Sequence, residues 1–117
     1  MMLFKKKEKP SPGIVYDYIQ SENYRGFKRY RLSTYGNKSA QDGISALSGK
    51  DLTGAEIRIA VKNVDKTECA VVSVGKREVG VIWKDSFDRF QDLKQGSIDK
   101  VRVEIRDGDS YLFYHQN

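Results

Sequence analysis

The chain has 117 residues, of which 38% are hydrophobic and 32% charged, and its formal net charge is +5. This length suits one domain with a modest core and is too short for two domains, and an aromatic content of 11% argues against a wholly disordered chain. No window approaches the roughly 18 apolar residues of a membrane span, and the opening residues lack the apolar stretch of a secretory signal. A single cysteine, Cys69, excludes an intrachain disulfide. We therefore expect a cytoplasmic protein.

The first twelve residues are rich in lysine and end in two prolines. Four lysines against one glutamate contribute +3 to the net charge, so the rest of the chain is only mildly basic. Prolines and a run of like charges disfavour regular structure. We predict a disordered tail or linker over residues 1 to 12, too small a signal for stable membrane anchoring, and one domain over residues 13 to 117.

Seven runs of β-branched and aromatic residues predict strands. They cover residues 14–20, 27–34, 56–62, 69–74, 78–83, 101–106 and 110–115. Asp107-Gly108 can supply the positive φ values of a type I′ turn, and Gly75 suits a similarly tight connection. The strands on either side of each turn are therefore predicted to form antiparallel hairpins.

Two further segments have helical spacing. Phe87, Phe90 and Leu93 recur every third residue before Gly96, which predicts a short helix over residues 86–95. Asp85 or Ser86 is its candidate N-cap. A second short helix is predicted between Ser39 and Gly49 by the spacing of Ala40, Ile44 and Leu47, although Gly43 in its middle costs about 1 kcal/mol relative to alanine. The whole pattern predicts a mainly β fold with two short helices, closed into a small, partly open antiparallel barrel.

Residues 23–36 combine four cationic and four aromatic side chains and contain no acidic residue. The alternation of a strand places Tyr30 and Leu32 on the core side, and Arg29, Arg31 and Tyr35 on the solvent side. Single-stranded nucleic acid needs such a surface, because cations neutralise its phosphates while rings stack on its bases. A solvated strand whose arginines shield aromatic rings has the same pattern. The stretch alone leaves both interpretations open.

Catalysis is not predicted by any motif in the chain. His115 is the only histidine and has no second histidine with which to share a metal. Cys69 lies in an apolar run, as expected of a buried and inert thiol. Neither the phosphate-binding loop nor the dinucleotide fingerprint is present. We therefore expect a non-enzymatic protein without catalytic residues, metal ligands or a cofactor.

The segment GAEIRIAVKNVDKTECAVVSVGKREVGVIWKDSFDRFQDLKQG resembles the HIRAN domain. In the family pattern, a strand leads into an Asn-Pro-Tyr-Asp-like turn, which is followed by an apolar strand, a Gly-Lys hairpin, a Val-Gly-Tyr-Ile-like strand and a helix. The elements that resemble these here are, in the same order, Ile57 to Lys62, Asn63 to Asp65, Ala70 to Val74, Gly75-Lys76, Val79 to Ile82 and the segment from Ser86. The similarity covers roughly residues 30 to 100.

The resemblance implies a small OB-like barrel, found alone in bacteria or fused to DNA-processing enzymes, with a pocket for the 3′ end of single-stranded DNA. Asp65 matches the aspartate of the family's turn, which would hydrogen-bond the terminal hydroxyl. Lys38 falls where the family has the arginine of an Arg-Tyr pair. Val64 replaces the aromatic residue of the turn, and Trp83 stands where the family usually has proline or a polar residue.

The basic strand and the resemblance together predict a binding module for single-stranded DNA or RNA. Its predicted site consists of Arg29, Arg31, Tyr35, Lys38, Asp65 and Trp83. The alternative is a protein-interaction or adaptor module in which Tyr35 and Trp83 anchor a protein partner, because interface cores favour Tyr, Trp and Arg.

Overall fold

The computed structural model describes residues 14–17, 26–34, 37–64 and 66–116. The strands in these ranges are β1 (Ile14–Asp17), β2 (Lys28–Arg31), β3 (Glu56–Val64), β4 (Thr67–Val74), β5 (Arg77–Trp83), β6 (Ile98–Arg106) and β7 (Asp109–Gln116). The helices are α1 (Lys38–Leu47) and α2 (Phe90–Gln95), with one 3-10 turn at Lys84–Ser86. The mainly β prediction is confirmed, since each of the seven predicted runs contains a strand and each predicted helical segment contains a helix. Residues 18–20 of the first predicted strand lie outside the described residues. The predicted tail lies outside the described residues.

The strands form two antiparallel sheets that share one core. The four-stranded sheet has the order β1-β3-β4-β5, and the three-stranded sheet has the order β2-β7-β6. They meet just beyond β2, where the Leu32 amide donates to the Ser110 carbonyl and the backbones of Ser33 and Val81 exchange two hydrogen bonds, all of 2.9 Å. The sheets are not closed into a full cylinder, so the predicted partly open barrel is confirmed.

The main core lies between the two sheets, and a smaller cluster of Cys69, Val71 and Val81 lies on the other face of β4 and β5. Burial alternates along β6 and along β7 from Ser110 to Tyr114, whereas β4 and β5 each have four consecutive buried residues and are covered on both faces. The largest fully buried side chains include Ile57, Ile82, Leu93, Ile98, Leu112, Val72, Val79, Val101 and Val103. The ring of Phe87 packs edge-on against the rings of Tyr30 and Tyr114, with centroids 5.0 and 5.3 Å apart. Edge-to-face pairs of this kind add stability beyond the area they bury.

The predicted hairpins are also confirmed. Strands β6 and β7 pair up to Arg106 and Asp109, and the turn residues Asp107 and Gly108 have φ of 54° and 81°, as a type I′ turn requires. Strands β4 and β5 pair up to Val74 and Arg77 across the Gly75-Lys76 turn. Strands β3 and β4 pair up to Val64 and Thr67.

The start of the second helix was predicted wrongly. It begins at Phe90, not at residue 86, and neither Asp85 nor Ser86 is its N-cap. The chain first makes the 3-10 turn and then passes through Phe87 in an extended conformation, with φ of −131°. This extended residue carries its ring into the core, where Phe90 and Leu93 are also buried as predicted. The helix ends as predicted at Gly96, whose φ of 78° is the left-handed conformation of a C-cap.

Helix α1 packs against β5, and a glycine makes the close approach possible. Its first turn is capped by Asn37, whose side-chain oxygen accepts a hydrogen bond of 3.0 Å from the Ala40 amide. Gly43 is buried, and a Cβ built on it would overlap the backbone carbonyl oxygen of Glu78 in β5. The glycine that weakens the helix by propensity is therefore needed for its packing.

Candidate nucleic-acid interface

The outer face of the three-stranded sheet combines aromatic and cationic side chains in three columns. In each row a residue of β2 pairs with one of β7, which pairs in turn with one of β6. We call this surface the cation-aromatic face; it comprises Arg29 and Arg31 of β2, Tyr111, Phe113 and His115 of β7, and Lys100, Arg102 and Glu104 of β6. The rows are Arg29-Phe113-Arg102 and Arg31-Tyr111-Glu104, with His115 beside Lys100.

The burial of the intervening residues shows which way the face points. Leu112 and Tyr114 of β7 are buried in the core, as are Val101 and Val103 of β6. Because successive side chains of a strand point to opposite sides of its sheet, the residues between them point away from the core. Arg29 and Arg31 are accordingly exposed, while the three β7 rings are half-buried between the flanking columns.

The aromatic column is in contact with its neighbours on β2. The guanidinium of Arg29 lies 5.3 Å from the centroid of the Tyr111 ring, within the range of a cation-π interaction. At the other end of the column, the ring of Phe27 lies beside that of His115, with centroids 5.5 Å apart. Rings and cations thus form one continuous surface.

The face is positively charged although it includes a carboxylate. Glu104 accepts a 2.6 Å hydrogen bond from Arg106 and lies 3.2 Å from the guanidinium of Arg102. Two arginines therefore surround one carboxylate on β6. The opposite column, on β2, offers Arg29 and Arg31 with no carboxylate paired beside them in the register. The β2 side is thus the more favourable side for a polyanion.

Of the residues predicted from the sequence, the structure brings Arg29 and Arg31 together on this face. The inward direction of Tyr30 and Leu32 is confirmed as well, since Leu32 is buried and Tyr30 packs against the core. Tyr35, which was predicted to lie beside them, is outside the described residues.

Lys38 and Trp83 lie on other elements. Lys38 begins α1, where its ammonium is 3.4 Å from the Asp42 carboxylate and both side chains are largely exposed. Trp83 ends β5 in the four-stranded sheet, where it is half-buried and packs against Cys69, Val71 and Val81. Neither side chain is part of the cation-aromatic face.

Asp65, the residue expected to contact a terminal hydroxyl, is outside the described residues. Beside its turn lies an open polar cleft of about 450 Å³, lined by Asn63, Lys66, Thr67, Glu68, Lys84 and Asp85. Glu68 accepts a 2.7 Å hydrogen bond from Lys94 and lies 3.8 Å from the Lys84 ammonium. The Lys94 hydrogen bond lowers the pKa of the Glu68 carboxyl, so this carboxylate and its lysines neutralise one another.

The aromatic column of β7 was missed from the sequence. The signal was present, because in the run Ser110 to His115 the residues Tyr111, Phe113 and His115 alternate with the apolar Leu112 and Tyr114. What the sequence did not provide was the neighbour of this strand. Strands β2 and β7, about eighty residues apart in sequence, had to be paired before the rings of β7 could be placed between Arg29 and Arg102.

Cys69 is buried, and burial raises the pKa of its thiol, as expected of an unreactive side chain. Within the described ranges, no three His, Cys, Asp or Glu side chains are grouped so that they could hold a metal ion. No helix in these ranges is long and apolar enough to cross a membrane.

Comparison of the chain with known proteins finds no matching family model, curated protein or solved structure.

Proposed function

We propose that this chain is a non-catalytic binding module whose cation-aromatic face holds single-stranded DNA or RNA. The observation that carries the proposal is the arrangement of this face, in which a column of three rings on β7 lies between a column of arginines on β2 and a second cationic column on β6. The sequence motif of residues 23–36 supplies only one of these columns.

Each column matches one part of a single strand. Aromatic side chains stack on bases of any sequence, at about 1 to 3 kcal/mol per base. Arginines neutralise phosphates and release the counterions that surround them. The bases of a duplex are already stacked and paired, so rings that are partly exposed on a sheet face favour a ligand whose bases are unpaired. The surface therefore suits a single strand better than a double helix.

The HIRAN-like assignment and the 3′-end contact of Asp65 belong to the same proposal. They rest on the sequence resemblance, and they concern the turn between β3 and β4 rather than the cation-aromatic face. Asp65→Ala should weaken binding of an oligonucleotide with a free 3′ hydroxyl and should leave a 3′-blocked oligonucleotide unaffected. Equal losses for both ends would rule out an end contact.

The salt dependence of oligonucleotide binding tests the arginine column. For a single strand, the slope of log K against log salt is about −0.7 per neutralised phosphate. The double variant Arg29→Ala, Arg31→Ala should make the slope less negative by up to about 1.4. Lys50→Ala with Lys76→Ala is the matched control, because it removes two exposed cations that lie outside the cation-aromatic face. Since both variants keep the Lys-rich tail, its attraction cancels in the comparison.

The contribution of the rings is tested by replacing one of them with an aliphatic side chain. Phe113→Leu keeps apolar bulk on the face but removes the stacking surface, so affinity should fall about 5- to 150-fold. Trp83→Leu is the matched control, because it removes a half-buried ring from the four-stranded sheet. Equal losses in the two variants would place the site elsewhere.

The whole proposal fails if the unaltered chain binds neither DNA nor RNA oligonucleotides at low salt. The adaptor alternative would then be pursued, with Tyr35 and Trp83 as the candidate anchors. In the described residues, Trp83 packs against Cys69, Val71 and Val81, so part of its surface is already committed to the protein itself.

A further inference from the structure

We infer that the bound strand runs lengthwise along β7, with one base on each of Tyr111, Phe113 and His115 and its phosphates on the β2 side. This inference rests on the proposed function and makes it more specific, because it fixes the direction of the ligand and a contact site of three nucleotides.

The direction follows from the arrangement of the rows and columns. A strand that crosses the sheet along the row Arg31-Tyr111-Glu104 would meet one ring and then a carboxylate. A strand that follows β7 meets three rings in succession, and each ring has a cation as its register partner on β2 or on β6. Only the lengthwise direction uses all three rings at once.

The spacing of the rings sets the number of bases. Residues i and i+2 of a β-strand are about 6.7 Å apart, whereas successive bases stacked in a duplex are about 3.4 Å apart. Neighbouring rings of β7 therefore cannot each carry successive bases of a helical stack. They can carry the splayed bases of an extended single strand, which is the form in which proteins usually stack bases on aromatic side chains.

The orientation of the Tyr111 ring supports stacking on ring faces rather than insertion between rings. The guanidinium of Arg29 lies over this ring from the neighbouring strand. The ring therefore turns a face toward the arginines of β2. A base that replaces Arg29 on that face leaves the exposed guanidinium beside the phosphate of the same nucleotide.

The side on which the phosphates lie follows from the charges. On β6, the Glu104 carboxylate already pairs with Arg102 and Arg106, so these arginines are less available to a phosphate. On β2, Arg29 and Arg31 are exposed and spaced two residues apart, which is one step of the aromatic column. The sugar-phosphate chain therefore belongs on the β2 side, and the base edges point toward β6.

The order of the three bases can be measured with thymidine trinucleotides in which one position is abasic. Binding to the full chain is followed by NMR titration, which measures weak affinities, with Tyr111→Leu, Phe113→Leu and His115→Leu as ring variants. Phe113→Leu should weaken the intact trinucleotide about 5- to 150-fold but the centrally abasic one by less than about twofold, because that base is already missing. In the same way, Tyr111→Leu should weaken the intact trinucleotide but hardly affect the one that lacks a particular terminal base. His115→Leu should hardly affect the one that lacks the opposite terminal base.

The backbone side is measured with a trinucleotide whose phosphates are replaced by uncharged methylphosphonates. Arg29→Ala should weaken binding of the natural trinucleotide but not of the uncharged one. Lys100→Ala is the corresponding change on β6, and Lys76→Ala, which removes an exposed cation from the turn between β4 and β5, is the matched control that should show no such difference. If Lys100→Ala, and not Arg29→Ala, weakened the natural trinucleotide more than the uncharged one, the phosphates would lie on the β6 side and the assignment of sides would be wrong.

The possible results separate this inference from the proposed function. The lengthwise arrangement is wrong, although binding is real, in either of two cases. In the first, removal of one and the same base abolishes the effects of both Tyr111→Leu and His115→Leu. In the second, removal of a terminal base abolishes the effect of Phe113→Leu. If longer oligonucleotides bind but the trinucleotide does not, the three-base site is wrong and the proposed function stands. If no oligonucleotide of any length binds, both fail together.

Discussion

Replacing Gly43 with alanine gives the sharpest test of how helix α1 is held against the barrel. In the interior of an ordinary helix, this change stabilises a protein by about 0.8 to 1 kcal/mol, because alanine restricts the unfolded chain. Here the added methyl group would overlap the carbonyl oxygen of Glu78 and lie 3.1 Å from its carbonyl carbon. Helix propensity therefore predicts that Gly43→Ala raises the free energy of unfolding, whereas packing predicts that it lowers it.

Packing should win, because the atom in the way belongs to the backbone of β5 and cannot rotate aside. Inserting a methyl group into a close-packed site costs about 1 to 3 kcal/mol, and occasionally more. Subtracting the propensity gain of about 1 kcal/mol leaves a net cost of about 0 to 2 kcal/mol. Because the obstructing atom cannot move aside, we expect the upper half of this range, so Gly43→Ala should lower the free energy of unfolding by about 1 to 2 kcal/mol. For a chain of this length, the melting temperature should fall by about 4 to 8 °C.

Thermal and urea denaturation followed by circular dichroism measure the change. Ser45→Ala is the matched control, because Ser45 is exposed on the same helix and its replacement should raise stability by about 0.5 kcal/mol through propensity alone. The urea midpoint should shift without a change in the m-value, as for a pure change in stability. A Gly43→Ala variant as stable as Ser45→Ala would show that α1 does not approach β5 as described.

Three further predictions concern single side chains. Phe90→Ala should lower the free energy of unfolding by about 3 to 5 kcal/mol in urea denaturation, because the ring is 3% exposed; a loss below 1 kcal/mol would contradict its burial. Ser110→Ala should cost about 1 to 3 kcal/mol, since the buried hydroxyl donates a 2.5 Å hydrogen bond to the Val79 carbonyl, whereas an unchanged melting temperature would show that this bond is dispensable. The Glu68 carboxyl should titrate by NMR below the ordinary glutamate pKa, because Lys94 donates a hydrogen bond to it, and Lys94→Gln should raise that pKa. A lowered pKa means that the pair stabilises the fold above the ordinary glutamate value and that this stabilisation is lost as the pH falls through the lowered value; a Glu68 pKa that does not respond to Lys94→Gln would contradict the contact.

Local patterns predicted the elements of this fold because their causes are local. The Asp107-Gly108 turn is determined by the φ values that two adjacent residues can adopt, and Gly96 ends α2 for the same reason. The start of α2 was missed because its cause is not local. Phe87 has helical spacing to Phe90, but it is extended since its ring packs between Tyr30 and Tyr114, residues that are distant from it and from each other in sequence.

The candidate site shows the same division. The outward direction of Arg29 and Arg31 follows from alternation within one strand and was predicted. Their aromatic neighbours follow from the pairing of β2 with β7, which joins residues about eighty positions apart in sequence. No turn residue or spacing encodes that pairing. The pairing of β2 with β7 can be assigned only when the inward-facing residues of both strands are packed together in one core.

Strand β7 links the stability of the fold to the chemistry of its surface. Leu112 and Tyr114 point into the core, while Tyr111 and Phe113 point outward. Because the side-chain period of a strand is two, a slip of one residue would exchange the two sets and expose the core residues. Burial of Leu112 and Tyr114 therefore fixes the register that places the rings between the two cationic columns. Substitutions of the outward rings can then remove binding at little cost in stability, which is why the ring variants proposed above can test the function separately from the fold.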